Sequence, residues 1–141
     1  MRRRWLYLCD KSVLARAPRD EAVAKLITPL FDAGGAATCD ITDLEVLFSA
    51  RSPADYERLR RYQATLSSLP ITPEVTARAV EVQAELAKTS RHRGPSIPDL
   101  LIAACAEVGG ATVLHYDADY DLIASVTGQP TAWVAPRGTV P

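Results

Sequence analysis

Short apolar runs alternate with amphipathic stretches along this chain. Trp5 to Cys9 is apolar and stops at Asp10, which reads as a buried strand followed by a turn at Asp10-Lys11-Ser12. A short helix is expected from Ser12 to Arg16, ended by Pro18. Asp20 and Glu21 open a second helix with Val23, Leu26, Ile27, Leu30 and Phe31 at helical spacing. Pro29 is expected to kink or divide it, and Gly34-Gly35 to close it. Ala36 to Cys39 reads as a second strand, and Asp40 to Ala50 as a third helix carrying Glu45. Ser52-Pro53 caps a fourth helix, with Leu59, Tyr62, Leu66 and Leu69 at spacings of three and four. A short extended piece at 69–71 leads to Thr72-Pro73, a cap and first-turn proline for a fifth helix lined by Val75, Ala79, Val82 and Leu86.

The stretch from Ser96 to Ala106 differs from the rest. A polar start gives way at once to a segment that is apolar on every side, the mark of a buried helix, and Asp99 is the charge at its mouth. An unpaired buried carboxylate is costly, so Asp99 needs a partner. Gly109-Gly110 ends this helix. Thr112 to His115 is a further strand, Asp117 is expected to cap a last helix with Tyr120, Ile123 and Val126 inward, and Thr131 to Val134 closes the sheet. Strands alternating with helices predict a layered α/β fold with a mainly parallel central sheet. The reading is one domain over 1–134 with a loose tail over 135–141.

Composition narrows the function. The formal net charge of −1 over 141 residues gives no global signature of nucleic-acid binding, so any such contact must come from local basic patches. Cys9, Cys39 and Cys105 are odd in number, widely spaced and set among apolar residues, so they read as reduced core residues. Met1-Arg2-Arg3-Arg4 before an apolar run suggests a signal peptide, but the run is short and Asp10 interrupts it. A cytoplasmic location is the expectation.

The acids carry the chemistry. Asp10 follows the first strand, Asp117 follows the strand ending at His115-Tyr116, and Glu45 lies in the helix after the second strand. In open α/β sheets, sites form beyond the carboxyl ends of the strands. Each acid also has a purely structural reading: Asp10 and Asp117 suit N-caps, and Thr42-Asp43-Leu44-Glu45 and Ser96-Ile97-Pro98-Asp99 match capping boxes. Capping does not explain their convergence on one rim. Two carboxylates about 4 Å apart repel by roughly 4 kcal/mol at an effective dielectric near 20. A hard divalent cation relieves this, and all-oxygen ligation suits Mg²⁺ or Mn²⁺.

These residues resemble a known family. Leu6-Tyr7-Leu8-Cys9-Asp10-Lys11-Ser12, Ile41 to Leu47, Ser96 to Ala104 and His115 to Ala124 are together similar to a PIN-domain ribonuclease of the VapC toxin type, over nearly the whole chain. The resemblance implies a PIN-like three-layer fold and an endoribonuclease that cleaves RNA with a metal-activated water, leaving a 5′-phosphate and a 3′-hydroxyl. It implies Asp10, Glu45, Asp99 and Asp117 as catalytic metal-binding acids, Asp119 as a further candidate ligand, and Ser12 as a hydrogen-bonding partner within the acidic cluster. It also implies a homodimer and a VapB-type antitoxin. Lys11 stands where Thr is common in the family, and Tyr120 where Phe is frequent.

Phosphate contacts would come from Lys11, Arg16, Arg91 and Arg93, with His92 in the same loop and Arg58, Arg60 and Arg61 as a second, solvated cluster. Tyr56 and Tyr62 are candidates for stacking on bases. His115 reads as structural, and Trp5 as core. An aspartyl-phosphate phosphatase would want a second Asp at position 12, where Ser stands, and no P-loop is present. The other open reading is a non-catalytic RNA- or protein-binding module that keeps the fold.

Overall fold

The short apolar runs at 7–9, 36–39 and 112–115 form the three inner strands, whose residues are mostly buried. The computed structural model describes residues 6–18 and 20–141. Trp5, expected in the core, and the arginines before it lie outside the described residues. In chain order the elements are β1 (Tyr7–Cys9), α1 (Lys11–Leu14), α2 (Glu21–Asp32), β2 (Ala36–Cys39), α3 (Asp40–Phe48), α4 (Pro53–Gln63), β3 (Ser67–Leu69), α5 (Pro73–Ala87), α6 (Ile97–Gly109), β4 (Thr112–His115), α7 (Asp119–Thr127) and β5 (Thr131–Trp133).

The five strands make one parallel sheet in the order β3-β2-β1-β4-β5. Because side chains alternate across a strand, Leu8 and Val113 join one core while Cys9 and Leu114 join the other. The first core packs the sheet against α5, α6 and α7 through Val82, Leu86, Ile102 and Ile123. The second packs it against α1, α2 and α3 through Val13, Val23, Ile27 and Val46. This is the expected three-layer α/β fold with a parallel sheet.

The strand order reverses direction between β1 and β4, which is where open α/β sheets leave a crevice. The register Cys9 to Leu114 brings the two carboxyl ends level, and the Asp10 amide donates to the Leu114 carbonyl at 2.9 Å. The sequence therefore delivers Asp10 and residues 115–117 to the same edge.

The caps follow the residue types. Asp20, Ser52, Thr72 and Ser96 each accept a backbone N–H three residues on. Gly110 ends α6 in the left-handed region at φ 72°, where a side chain would be strained. Within α6, Leu100 and residues 102–106 are buried, as its all-round apolar character demands.

Several expectations are corrected. Pro29 does not divide α2, which runs unbroken from Glu21 to Asp32 with the proline on an exposed face. Leu26 is 54% exposed rather than inward. Leu66 and Leu69 lie beyond α4, and the extended piece forms at Ser67–Leu69, pairing with β2 as the sheet edge. The first helix begins at Lys11 and ends at Leu14. Ala118, not Asp117, is the residue before α7. Within residues 135–141, the Val140 amide donates to the Tyr116 hydroxyl at 2.9 Å, and Arg16 Nε donates to the Pro141 carbonyl at 3.1 Å. No helix among the described residues is long and apolar enough to cross a membrane.

Candidate metal centre

Asp10 is delivered by β1 and is 1% exposed. Its Oδ2 accepts the Ser12 amide at 3.0 Å, so it does cap α1. Capping uses one lone pair of one oxygen and leaves the carboxylate with further capacity. Ser12 reaches the cluster through that amide, while its Oγ accepts the Tyr116 amide at 2.9 Å and ties the turn after β1 to the end of β4.

Asp99 enters from the first turn of α6 and is 4% exposed. Ser96 Oγ accepts the Asp99 amide at 3.2 Å, which is half of a capping box. The reciprocal bond is not made by Asp99. Asp119 Oδ2 accepts the Ser96 amide instead, at 3.2 Å, across 23 residues. The Asp99 carboxylate is therefore free of the capping duty that its spacing suggested.

Asp117 and Asp119 follow β4. Asp117 Oδ1 accepts the Asp119 amide at 2.9 Å, and the Asp117 amide donates to His115 Nδ1 at 3.1 Å. The second bond requires an unprotonated Nδ1, and burial pulls the His115 pKa down, so this imidazole is neutral. It is structural, as expected.

Glu45 comes from α3. Its Oε2 pairs with Lys11 Nζ at 3.1 Å, which raises the lysine pKa, while its Oε1 is buried and has no hydrogen-bond partner. The Thr42 capping box is not formed, because α3 starts at Asp40 and Thr42 is buried within it.

The acids form two groups that share Asp99. Asp10, Glu45 and Asp99 each place one carboxylate oxygen within 4.8 Å of the others, and so do Asp99, Asp117 and Asp119. Burial and then the Asp10 charge push the Asp99 carboxyl up to about 8. The donor set is all oxygen, clustered and partly buried, and Glu45 Oε1 lacks a partner within it. These residues fit a hard divalent cation, which removes both the repulsion and the orphaned oxygen.

Sequence reasoning missed the role of Tyr120, which it placed only as an inward core residue. The Tyr120 hydroxyl lies 2.7 Å from Asp10 Oδ1 and 3.2 Å from Asp99 Oδ1. Burial and these two carboxylates hold the phenol protonated. The available signal was that a buried tyrosine needs a partner for its hydroxyl.

The basic candidates divide. Lys11 is at the acidic cluster, half exposed and paired with Glu45. Arg91 and Arg93 are exposed in the loop before α6, with Arg91 Nε donating to Thr89 Oγ1 at 2.8 Å. Arg16 is engaged elsewhere: it donates to the Ser12 and Pro141 carbonyls, and its guanidinium lies 4.5 Å from the Tyr116 ring centre.

Three comparisons bear on this arrangement. A family model described as "PIN domain" matches residues 7–126. Ribonuclease VapC51 of Mycobacterium tuberculosis is 48% identical over 134 residues, covering 95% of this chain and 96% of the relative. Ribonuclease VapC18 of the same organism is 41% identical over 137 residues, covering 96% and 99%. Among solved structures, a DNA-bound VapBC from Salmonella typhimurium aligns at a TM-score of 0.73 with 17% identity, over 92% of this chain and 98% of that one. At that identity the solved structure speaks to the fold.

Proposed function

This chain belongs to the PIN-domain family, and from that premise we propose that it is an endoribonuclease toxin of the VapC type, dependent on Mg²⁺ or Mn²⁺ and restrained by a VapB-type antitoxin. The observation that carries the reading is the convergence of five carboxylates from four separate parts of the chain, with Glu45 Oε1 unpartnered among them. The curated relatives are named as VapC ribonucleases, which supports the substrate class and, with it, a VapB-type partner.

In this reading Asp10, Glu45, Asp99 and Asp117 hold the cation, with Asp119 beside them. A bound divalent cation supplies charge neutralisation at the phosphate and acidifies water in its shell. Asp99 carries a proton near neutral pH in the metal-free protein, and to serve as a ligand it would have to release that proton. A cluster carboxylate then takes the proton of the attacking water. Lys11, half exposed beside Glu45, faces an incoming phosphate, and Arg91 and Arg93 hold the RNA backbone at the mouth of α6. Attack by water on phosphorus with cleavage of the P–O3′ bond leaves a 5′-phosphate and, once the leaving 3′-oxygen takes a proton from solvent, a 3′-hydroxyl. Attack by the ribose 2′-hydroxyl is disfavoured, because His115 is buried and neutral and His92 is a loop residue.

The test is cleavage of total cellular RNA by purified, antitoxin-free protein with Mg²⁺, with Mn²⁺ and with EDTA. The reading expects discrete fragments that require metal and carry 5′-phosphates. Folded protein that cuts nothing under any of these conditions supports the binding-module alternative, and 5′-hydroxyl ends contradict the hydrolytic route.

A further inference from the structure

Tyr120 is not among the candidate ligands, yet its hydroxyl touches two of them. It heads the fully buried side chains by volume among the described residues. Its ring packs against His115 with centroids 4.9 Å apart and a 34° tilt, and His115 is itself fixed by the Asp117 amide on Nδ1. The hydroxyl is therefore held by the core rather than by the acids. A phenol has one hydrogen to give and lone pairs to receive one. The hydroxyl shares its one hydrogen in a three-centre bond, the larger share going to Asp10 Oδ1 at 2.7 Å and the weaker to Asp99 Oδ1 at 3.2 Å. A phenylalanine here would fill nearly the same volume and leave both buried oxygens without this contact.

We propose that Tyr120 is a positioning residue of the acidic centre: its hydroxyl bridges Asp10 Oδ1 and Asp99 Oδ1, fixes the orientation of both carboxylates, and so presents their remaining lone pairs to the cation. The proposal rests on the metal-centre reading above. Asp10 is then held at both oxygens, by Tyr120 on Oδ1 and by the Ser12 amide on Oδ2, which leaves it no freedom to rotate away. Asp99 is held at its amide by Ser96 Oγ and at its carboxylate by Tyr120. Two ligands from elements 89 positions apart in sequence thus share one rigid hydrogen-bonding partner on a third element. Partners of this kind typically alter metal affinity by about 10–100-fold when removed.

Calorimetric titration with MnCl₂ of the wild type and Tyr120→Phe tests this, together with ultraviolet difference spectra on adding MgCl₂. The expected result is Mn²⁺ binding weakened about 10–100-fold in Tyr120→Phe, with folding verified by circular dichroism. Mg²⁺ is expected to shift the tyrosine absorption band of the wild type. That shift should persist in Tyr56→Phe, on the half-exposed face of α4, and vanish in Tyr120→Phe. A purely structural tyrosine would lower the melting temperature without changing either readout. Affinities equal within about twofold, or a wild-type spectrum that ignores Mg²⁺ while binding it, overturns the proposal. The spectrum decides alone if Tyr120→Phe fails to fold. Wild-type protein that binds no Mn²⁺ overturns the metal centre itself, and the role of Tyr120 with it.

Discussion

Asp99 stands where the two groups of acids meet, and its environment makes a prediction about pH. Its carboxyl is raised to about 8, first by burial and then by Asp10. In the unfolded chain it returns to the usual carboxylate value near 4. The folded protein therefore binds the extra proton between these two values. This contribution to stability is complete below the unfolded pKa and is lost as pH rises through the folded one. In EDTA the melting temperature of the wild type is expected to fall relative to that of Asp99→Asn as pH rises from 7 to 9, a comparison in which the shifted cysteines Cys9 and Cys39, present in both proteins, cancel. His115, whose pKa is lowered by burial, is neutral in the folded protein across this range, and its residual protonation in the unfolded chain near pH 7 is common to both proteins compared. Saturating Mg²⁺ should flatten the wild-type curve, since the cation takes the proton's place. Melting curves of the two proteins that run parallel in EDTA would refute this account of Asp99. Residue types alone exposed the acids but not their partners. Lys11 and Glu45 are 34 positions apart, and the Tyr120 hydroxyl meets a carboxylate 110 residues away, so no local spacing announces either pair.

At the scale of the element, the start of α6 carries both a cap and a candidate ligand. Ser96 Oγ bonds the Asp99 amide, and the Ser96 amide bonds Asp119. Ser96→Ala removes the first bond and keeps the second. Loss of a serine cap costs about 1 kcal/mol, which for a domain of this size lowers the melting temperature by about 3 °C. The same variant is expected to cut RNA within tenfold of the wild-type rate at 25 °C, because the Asp99 carboxylate keeps its Tyr120 contact. A loss as large as that of an acid substitution would mean that Ser96 orients the carboxylate directly. Caps were the most legible feature of the sequence: Asp20, Ser52, Thr72 and Ser96 all cap as read, because capping depends on residues three apart. The capping boxes were misleading for the same reason. Their spacing fits Glu45 and Asp99, but tertiary structure turns both carboxylates toward the cluster and supplies Asp119 to Ser96. Leu26 fell outside the core although it lies on the apolar stripe of α2, since burial depends on what packs alongside and periodicity does not say.

At the scale of the molecule, sheet order makes the site. β1 and β4 are far apart in the chain but adjacent in the sheet, and α6 and α3 bring Asp99 and Glu45 to the same end. Alternation of strands and helices made the layered parallel fold legible; the order β3-β2-β1-β4-β5 comes from long-range pairing that no window of sequence contains. The central claim is that this convergence is a metal-dependent nuclease centre. It is tested most directly by the RNA-cleavage rate of Asp99→Asn beside the wild type at saturating Mn²⁺. Asparagine keeps the shape and, like the protonated Asp99 of the metal-free protein, carries no charge, so the variant should fold at least as well in EDTA. The account predicts folded protein with cleavage reduced at least about 100-fold, the scale expected when electrostatic stabilisation of a transition state is lost. A folded Asp99→Asn that cuts RNA as fast as the wild type would contradict it.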